Sequence, residues 1–395
     1  MAGKRELEDP LSWLIAPVAE KEFFDNHYER RALHCGRDEP LRFAALLSLN
    51  RLDEIIASAE LPGPSLTMAR SKPPLERADY TFKSGNINRG AVIRHFQRGA
   101  TLILNQLQRA DESLAEFCRA LEEVFSCRVQ TNAYLTPPGS QGFNTHFDDH
   151  DVFIIQVSGA KRWRLYEKPV ENPYRGEGFD SSEHSAGKLD EEFLLRAGEC
   201  LYIPRGLMHD ASSHGDAPSL HITTGLLVKK WADLMLEAVA EVALRNPKFR
   251  RSLPPGFARP GEGAAALETQ FRELVGEFAE QAHFEPVLAY FQDSFLTRRR
   301  PALRGALLDA AKPPSHSARY IRRPHLQATL RRSGSKAVIT GPGGDVHFEL
   351  GAISGLEIFL SGAAFSAEDF SELETGKRAE AIRRLSAFGL IERLR

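Results

Sequence analysis

Residues 144–166 read NTHFDDHDVFIIQVSGAKRWRLY. Val152 to Val157 is a short apolar run rich in β-branched residues, stopped by Ser158-Gly159. In the next run, Arg162 to Tyr166, large apolar residues alternate with arginines. Strand, tight turn and strand is the pattern of a hairpin. Working outward, Val129 to Leu135, Glu199 to Ile203 and Ser219 to Val228 have the same texture, with turns at Pro137-Pro138-Gly139 and Ala197-Gly198. Short runs at this density of turn residues argue for an antiparallel barrel or sandwich.

On either side the period lengthens. Before residue 126 helical segments mix with loops, and in Ser113 to Val124 the residues Leu114, Phe117, Leu121 and Val124 fall on one helical stripe. From residue 229, Trp231, Leu234, Met235, Ala238 and Val242 form one helical face. After a Pro/Gly linker, Pro254 to Gly263, Phe271, Leu274, Val275 and Phe278 form a second. Two such stripes cannot bury themselves fully, so packing on the barrel or on a second subunit is expected. A third unit starts after Lys312-Pro313-Pro314-Ser315, with a Gly-rich turn at 341–344, a strand Val346 to Leu350 and a terminal helix containing Ala379, Ile382 and Leu385. The expected division is therefore a β-rich core with helical additions at 1–228, an all-α segment at 229–312 and a small α+β, winged-helix-like unit at 313–395. The last carries a basic run (Arg319, Arg322, Arg323, Arg331, Arg332), but Glu349, Glu357, Glu368, Asp369, Glu372, Glu374 and Glu380 offset it. We read this balance against nucleic-acid binding.

Bulk properties narrow the class without naming the chemistry. The 395 residues carry 51 basic and 53 acidic side chains, a formal charge of −2, so no long-range field gathers nucleic acid or anionic lipid. No run approaches the roughly 18–20 apolar residues of a bilayer crossing. The opening MAGKRELED has no apolar signal core. A cytoplasmic protein with no membrane partner is the expectation. Cys35, Cys118, Cys127 and Cys200 form no CxxC pair, which argues against a zinc site or a disulfide framework.

The chemistry sits at the start of the quoted stretch. Residues two apart in a strand share a side, so His146 and Asp148 would project together. An imidazole and a carboxylate supply two ligands of the facial triad that binds non-haem iron and leaves positions open. A second imidazole is needed, and His150, His184, His209, His214 and His221 are candidates. His150 shares the parity, yet three ligands along one straight strand would spread over about 13 Å. His209 follows Leu201-Tyr202-Ile203-Pro204-Arg205-Gly206, a strand and turn that can return toward the first strand. Alone, an HxD pair is weak, since a solvated loop pair explains it as well. Lys161 adds weight: it has the parity of Trp163 and Leu165, and an inward ammonium needs an anion.

Taken in order, Asn-x-Tyr-Leu-Thr-Pro-Pro (132–138), His-x-Asp (146–148), Gly-x-Lys-x-Trp-Arg (159–164), Pro-Arg-Gly-x-x-His (204–209) and Ser-Leu-His (219–221) resemble the cupin-type JmjC ribosomal oxygenases. These are Fe(II)- and 2-oxoglutarate-dependent protein hydroxylases. The resemblance implies a double-stranded β-helix catalytic core, a helical dimerisation domain and a winged-helix-like C-terminal domain, hence a homodimer. It also implies iron ligation by His146, Asp148 and His209, and pairing of Lys161 with the 2-oxoglutarate carboxylate. Asn132 and His221 match polar pocket positions, and Tyr134 and Thr223 share their strand parities. The implied substrate is an Arg or His side chain of a ribosomal protein. Two other readings stand beside this one: a lysyl demethylase using the same iron chemistry, and a non-catalytic metal-binding scaffold, against which the complete ligand set argues.

Overall fold

Asp151–Ser158 is an interior strand of the barrel, and both of its faces are buried. Val152 and Ile154 pack with Trp163, Leu165, Leu195, Leu201 and Ile203, whereas Phe153, Ile155 and Val157 pack in a second core. A strand covered on both faces reads as a continuous apolar run, as VFIIQV does. The computed structural model describes residues 4–58, 63–71, 73–174, 177–259, 264–312 and 318–394. It divides into two units, 1–228 and 229–395.

Ten strands of the first unit are Leu33–Cys35 (β1), Leu66–Ala69 (β2), Thr101–Leu104 (β3), Arg128–Thr136 (β4), Asp151–Ser158 (β5), Ala160–Tyr166 (β6), Leu189–Arg196 (β7), Cys200–Ile203 (β8), His209–His214 (β9) and Ser219–Leu227 (β10). They form a seven-stranded sheet, β1-β8-β5-β10-β4-β3-β2, and a three-stranded sheet, β7-β6-β9. The pairings are antiparallel. Ser158-Gly159 turns the chain from the large sheet into the small one. The outer face of the large sheet is closed by the N-terminal helices, through Leu11, Trp13, Leu14 and Phe23, by Phe43 from the turn after β1, and by the helix Glu112–Phe125, through Leu114, Phe117 and Leu121. That helix is started by Asp111, whose carboxylate accepts the Leu114 N–H at 3.1 Å.

Alternation along β4 and β10 then fixes the interior. Val129, Ala133, Leu220, Ile222 and Leu226 belong to the outer core. Their neighbours Asn132, Tyr134, His221 and Thr223 therefore face the small sheet, from which the buried side chains Lys161, Trp163 and Leu165 project into the same interior. The core residues Val152, Ile154, Leu201 and Ile203 line the same interior.

Several elements depart from the sequence-based expectation. Residues 144–150 are not a strand: His146 makes one isolated bridge and Asp148 lies in irregular chain. Strands β1, β2 and β3 join the sheet from a region expected to be helices and loops, because three or four residues are too few to show a period. Strands β7 and β9 were also absent from the reading of the sequence.

In the second unit, Trp231–Arg245, Ala264–Gln281 and Phe284–Arg298 are helices. Ala238 and Val242 are buried, while Trp231, Met235, Phe271 and Val275 are exposed. Farther along, Thr329–Ser333, Lys336–Gly341 and Gly344–Glu349 form a three-stranded meander, and Tyr320–Arg322 pairs with Ile391–Arg393. These pack with the helices Ile353–Ser361 and Thr375–Ala387 around Ile339, Phe348, Leu356, Phe359, Phe370, Ile382 and Leu385. Linker residues 260–263 and 313–317 lie outside the described residues. No helix is long and apolar enough to cross a membrane among the described residues. All four cysteines are buried and unbridged.

Candidate metal centre

The two imidazoles meet because their own backbones pair. The His209 N–H donates to the His146 carbonyl at 2.8 Å, and the His146 N–H donates to the His209 carbonyl at 3.1 Å. The rings face each other with centroids 4.7 Å apart. Asp148 is held by the turn that precedes β9, since the Gly206 N–H donates to its carbonyl at 2.9 Å. That turn requires glycine: Gly206 has φ +82°, and a Cβ there would lie 2.0 Å from the Val170 carbonyl oxygen. One ligand atom from each of His146, Asp148 and His209 falls within 4.8 Å of the others.

Ring orientation suits a metal. The Nδ1 of His146 lies 2.8 Å from the Asn144 carbonyl, and that of His209 lies 2.9 Å from the Leu207 carbonyl. A carbonyl only accepts, so each Nδ1 carries the proton and each Nε2 keeps a lone pair. The His209 Nε2 is 3.9 Å from the Asp148 Oδ2. Burial, followed by the charge of His146, holds His209 below the usual histidine range. Two imidazoles whose Nε2 atoms are left to a metal and one carboxylate fit a ferrous ion with positions left open.

Next to this cluster, Lys161 is 5% exposed. Desolvation pushes its ammonium down to about 7, and no carboxylate pairs with it among the described residues. His221 is buried across from it and lies well below its usual range, through burial and then the nearby Lys161 charge. Tyr134 and His221 are Cα partners and their rings stack at 4.8 Å. Burial, then the Asp148 charge, raises the Tyr134 phenol, so it is a donor. Asn132 pairs with Thr223 across the same two strands, and its Oδ1 accepts the Gln106 N–H at 2.9 Å. The structure thus brings all eight sequence-selected side chains to one interior. The candidates His150, His184 and His214 are outside the cluster. His150 binds its neighbour Asp149 at 3.0 Å and lies against Gly225. His184 rests on Phe147, and His214 ends β9 in an exposed position.

Residues 103–234 match the JmjC domain. A bifunctional lysine-specific demethylase and histidyl-hydroxylase NO66 from Drosophila sechellia is 33% identical over 275 residues, covering 68% of this chain and 42% of that protein. The human protein ribosomal oxygenase 1 is 31% identical over 301 residues, 72% of this chain and 46% of that protein. The chain belongs to the JmjC ribosomal oxygenase family. It spans less than half the length of these curated relatives. The X-ray structure of E. coli ycfD superimposes with a TM-score of 0.56 at 17% identity, over 95% of this chain and 98% of that one. A structure of YcfD, a ribosomal oxygenase from E. coli, in complex with cobalt and 2-oxoglutarate gives 0.52 at 18% identity over the same shares. At this identity the likeness speaks for the JmjC cupin fold.

Three supports of the JmjC centre escaped the sequence reading. Asp210, beside His209, accepts from Thr145 at 2.9 Å and from Tyr166 at 2.7 Å, tying the two imidazole segments together. Arg205 donates to Asp151 at 2.6 Å and to Glu29 at 2.8 Å, and Tyr202 also donates to Asp151 at 2.7 Å. This buried network fixes the turn before β9 to the start of β5. Phe143 and Phe179 flank the His146 ring at 5.7 Å and 6.4 Å. All of these sit in connectors or pair at long range, so no local periodicity announces them.

Proposed function

We propose that the chain is an Fe(II)- and 2-oxoglutarate-dependent oxygenase that hydroxylates a protein side chain, an arginine or histidine of a ribosomal protein. The single observation that carries this reading is the convergence of two oriented imidazoles and a carboxylate, reached by the inward face of β6 that also carries the buried Lys161. The donor set fits iron, and His146, Asp148 and His209 would hold it. Bound ferrous iron supplies the redox chemistry that couples decarboxylation of the keto acid to oxidation of a C–H bond.

The protein's part follows from its own groups. Lys161 offers the charge that the distal carboxylate needs in a dry interior. Val152, Ile154, Leu201 and Ile203 exclude water from that interior. Asp210 and Arg205 keep the two ligand-bearing segments in register, so the ligands meet without rearrangement. Phe143, 44% exposed, borders the open side at His146, where a substrate side chain would enter.

Incubation with iron, 2-oxoglutarate, ribosomal proteins and ¹⁸O₂ tests this directly. One heavy oxygen on an arginine or histidine, with one succinate released, is the expected product. Loss of a methyl group from lysine instead would assign the chain to demethylation, the other activity in the name of the Drosophila relative.

The Lys161 environment predicts a pH dependence. An unfolded lysine titrates at about 10.4, whereas burial pushes the Lys161 ammonium down to about 7. Between these values the unfolded chain holds the extra proton, so this group's contribution to apoprotein stability rises with pH across that window. A dicarboxylate selects the ammonium form, so its binding takes up a proton above pH 7. Affinity should fall about tenfold per pH unit from 7 to 9, measured by calorimetry, and Lys161→Arg should flatten the slope. A flat wild-type profile would contradict the assignment.

We also propose that 229–312 is a dimerisation segment and 313–395 a winged-helix-like domain. Support for the first comes from Trp231 and Phe271, 77% and 67% exposed on amphipathic helices. The double variant Trp231→Glu/Phe271→Glu is expected to weaken self-association at least about tenfold, equivalent to ~1.4 kcal/mol, in sedimentation velocity. An unchanged dimer would put the interface elsewhere.

A further inference from the structure

Trp163 carries a polar atom without a hydrogen-bond partner among the described residues. Its side chain is 4% exposed, and its indole Nε1 is buried without a hydrogen-bond partner. A buried indole N–H normally finds an acceptor, and leaving it without one is destabilising. Trp163 faces the interior between Lys161 and Leu165 on β6, and Leu165 is the Cα partner of His209. Strand rise sets Trp163 about 6.8 Å along from Lys161, toward the metal ligands. Its ring lies 5.9 Å from that of His209 and 6.0 Å from that of His221. The His221 Nδ1 is likewise buried and unpartnered.

Two buried nitrogens without partners among the described residues, the Trp163 indole N–H and the His221 Nδ1, therefore lie close together, and the Lys161 charge reaches His221. Water could satisfy one of them, but an ammonium in this position calls for an anion. A small dicarboxylate reaching from Lys161 toward the ligand cluster would pass the indole edge and offers acceptor oxygens. We infer that Trp163 is a co-substrate-binding residue, its indole N–H donating a hydrogen bond to an oxygen of the bound keto acid. This rests on the oxygenase reading above and adds to it a contact that neither charge nor metal supplies. The ring would also wall His209 off from water, a role that phenylalanine can retain.

The chain has three tryptophans, Trp13, Trp163 and Trp231, so an ¹⁵N-indole spectrum carries three resonances. Trp13→Phe and Trp231→Phe identify the Trp163 signal by elimination, whether or not a variant at 163 folds. In zinc-loaded wild-type protein, 2-oxoglutarate should move the Trp163 indole proton downfield and slow its exchange, with the other two signals still. Trp163→Phe should bind zinc with unchanged affinity and 2-oxoglutarate at least about tenfold more weakly. A Trp163 signal that stays put while the keto acid binds, or wild-type affinity in Trp163→Phe, overturns this inference alone. If wild-type zinc protein takes up no 2-oxoglutarate, the oxygenase reading falls and this inference with it.

Discussion

His209→Ala should abolish substrate-dependent succinate formation, by more than about a thousandfold or ~4 kcal/mol in the barrier, while leaving the fold intact. The side chain is one of three donors, and two donors cannot hold a metal in a defined facial geometry. The fold should survive because the backbone bridge between residues 146 and 209 does not involve the ring. Removing the imidazole also relieves a desolvated group, so thermal stability should hold or rise slightly. Circular dichroism and succinate release read the two effects separately. Normal turnover in the variant would remove His209 from the centre.

Lys161→Ala should leave metal binding in place and raise the 2-oxoglutarate concentration needed for half-maximal turnover by at least about thirtyfold. Truncating one partner of a buried charge pair costs about 2–5 kcal/mol, and no second cation shares that interior among the described residues. The same variant should make the ligand-free protein more stable, because an ammonium that burial pushes down to about 7 is costly to keep inside. This opposite response, weaker binding with a higher melting temperature, separates a recognition role from a packing role. An unchanged requirement would mean the carboxylate is held elsewhere.

Much of this was legible in the chain because period and punctuation agree. The runs around residues 128–136, 151–158 and 160–166 have clear turns, and Lys161 declares itself by sharing parity with Trp163 and Leu165. The proposed ligands come together for a different reason than the sequence suggested. His146 and Asp148 do not share a strand; one bridge at His146 and the Gly206 contact to Asp148 bring them together. His-Asp-Ala-Ser-Ser-His (209–214) has no apolar pattern at all, since its strand exists to present a ligand and Asp210. Leu189–Arg196 is an edge strand whose charged residues remain exposed, so alternation is blurred. The networks around Asp210 and Arg205 join residues 65 and 54 positions apart, a separation at which one sequence gives no signal.

On this reading His146, Asp148 and His209 make one iron site next to an anion pocket closed by Lys161. Anaerobic titration of the metal-free protein with Fe(II) and then 2-oxoglutarate tests it most directly. A visible charge-transfer band should appear only when both are present, at one iron per chain, and be absent in His209→Ala. A wild-type protein that binds neither, or a variant that gives the same band, would contradict it.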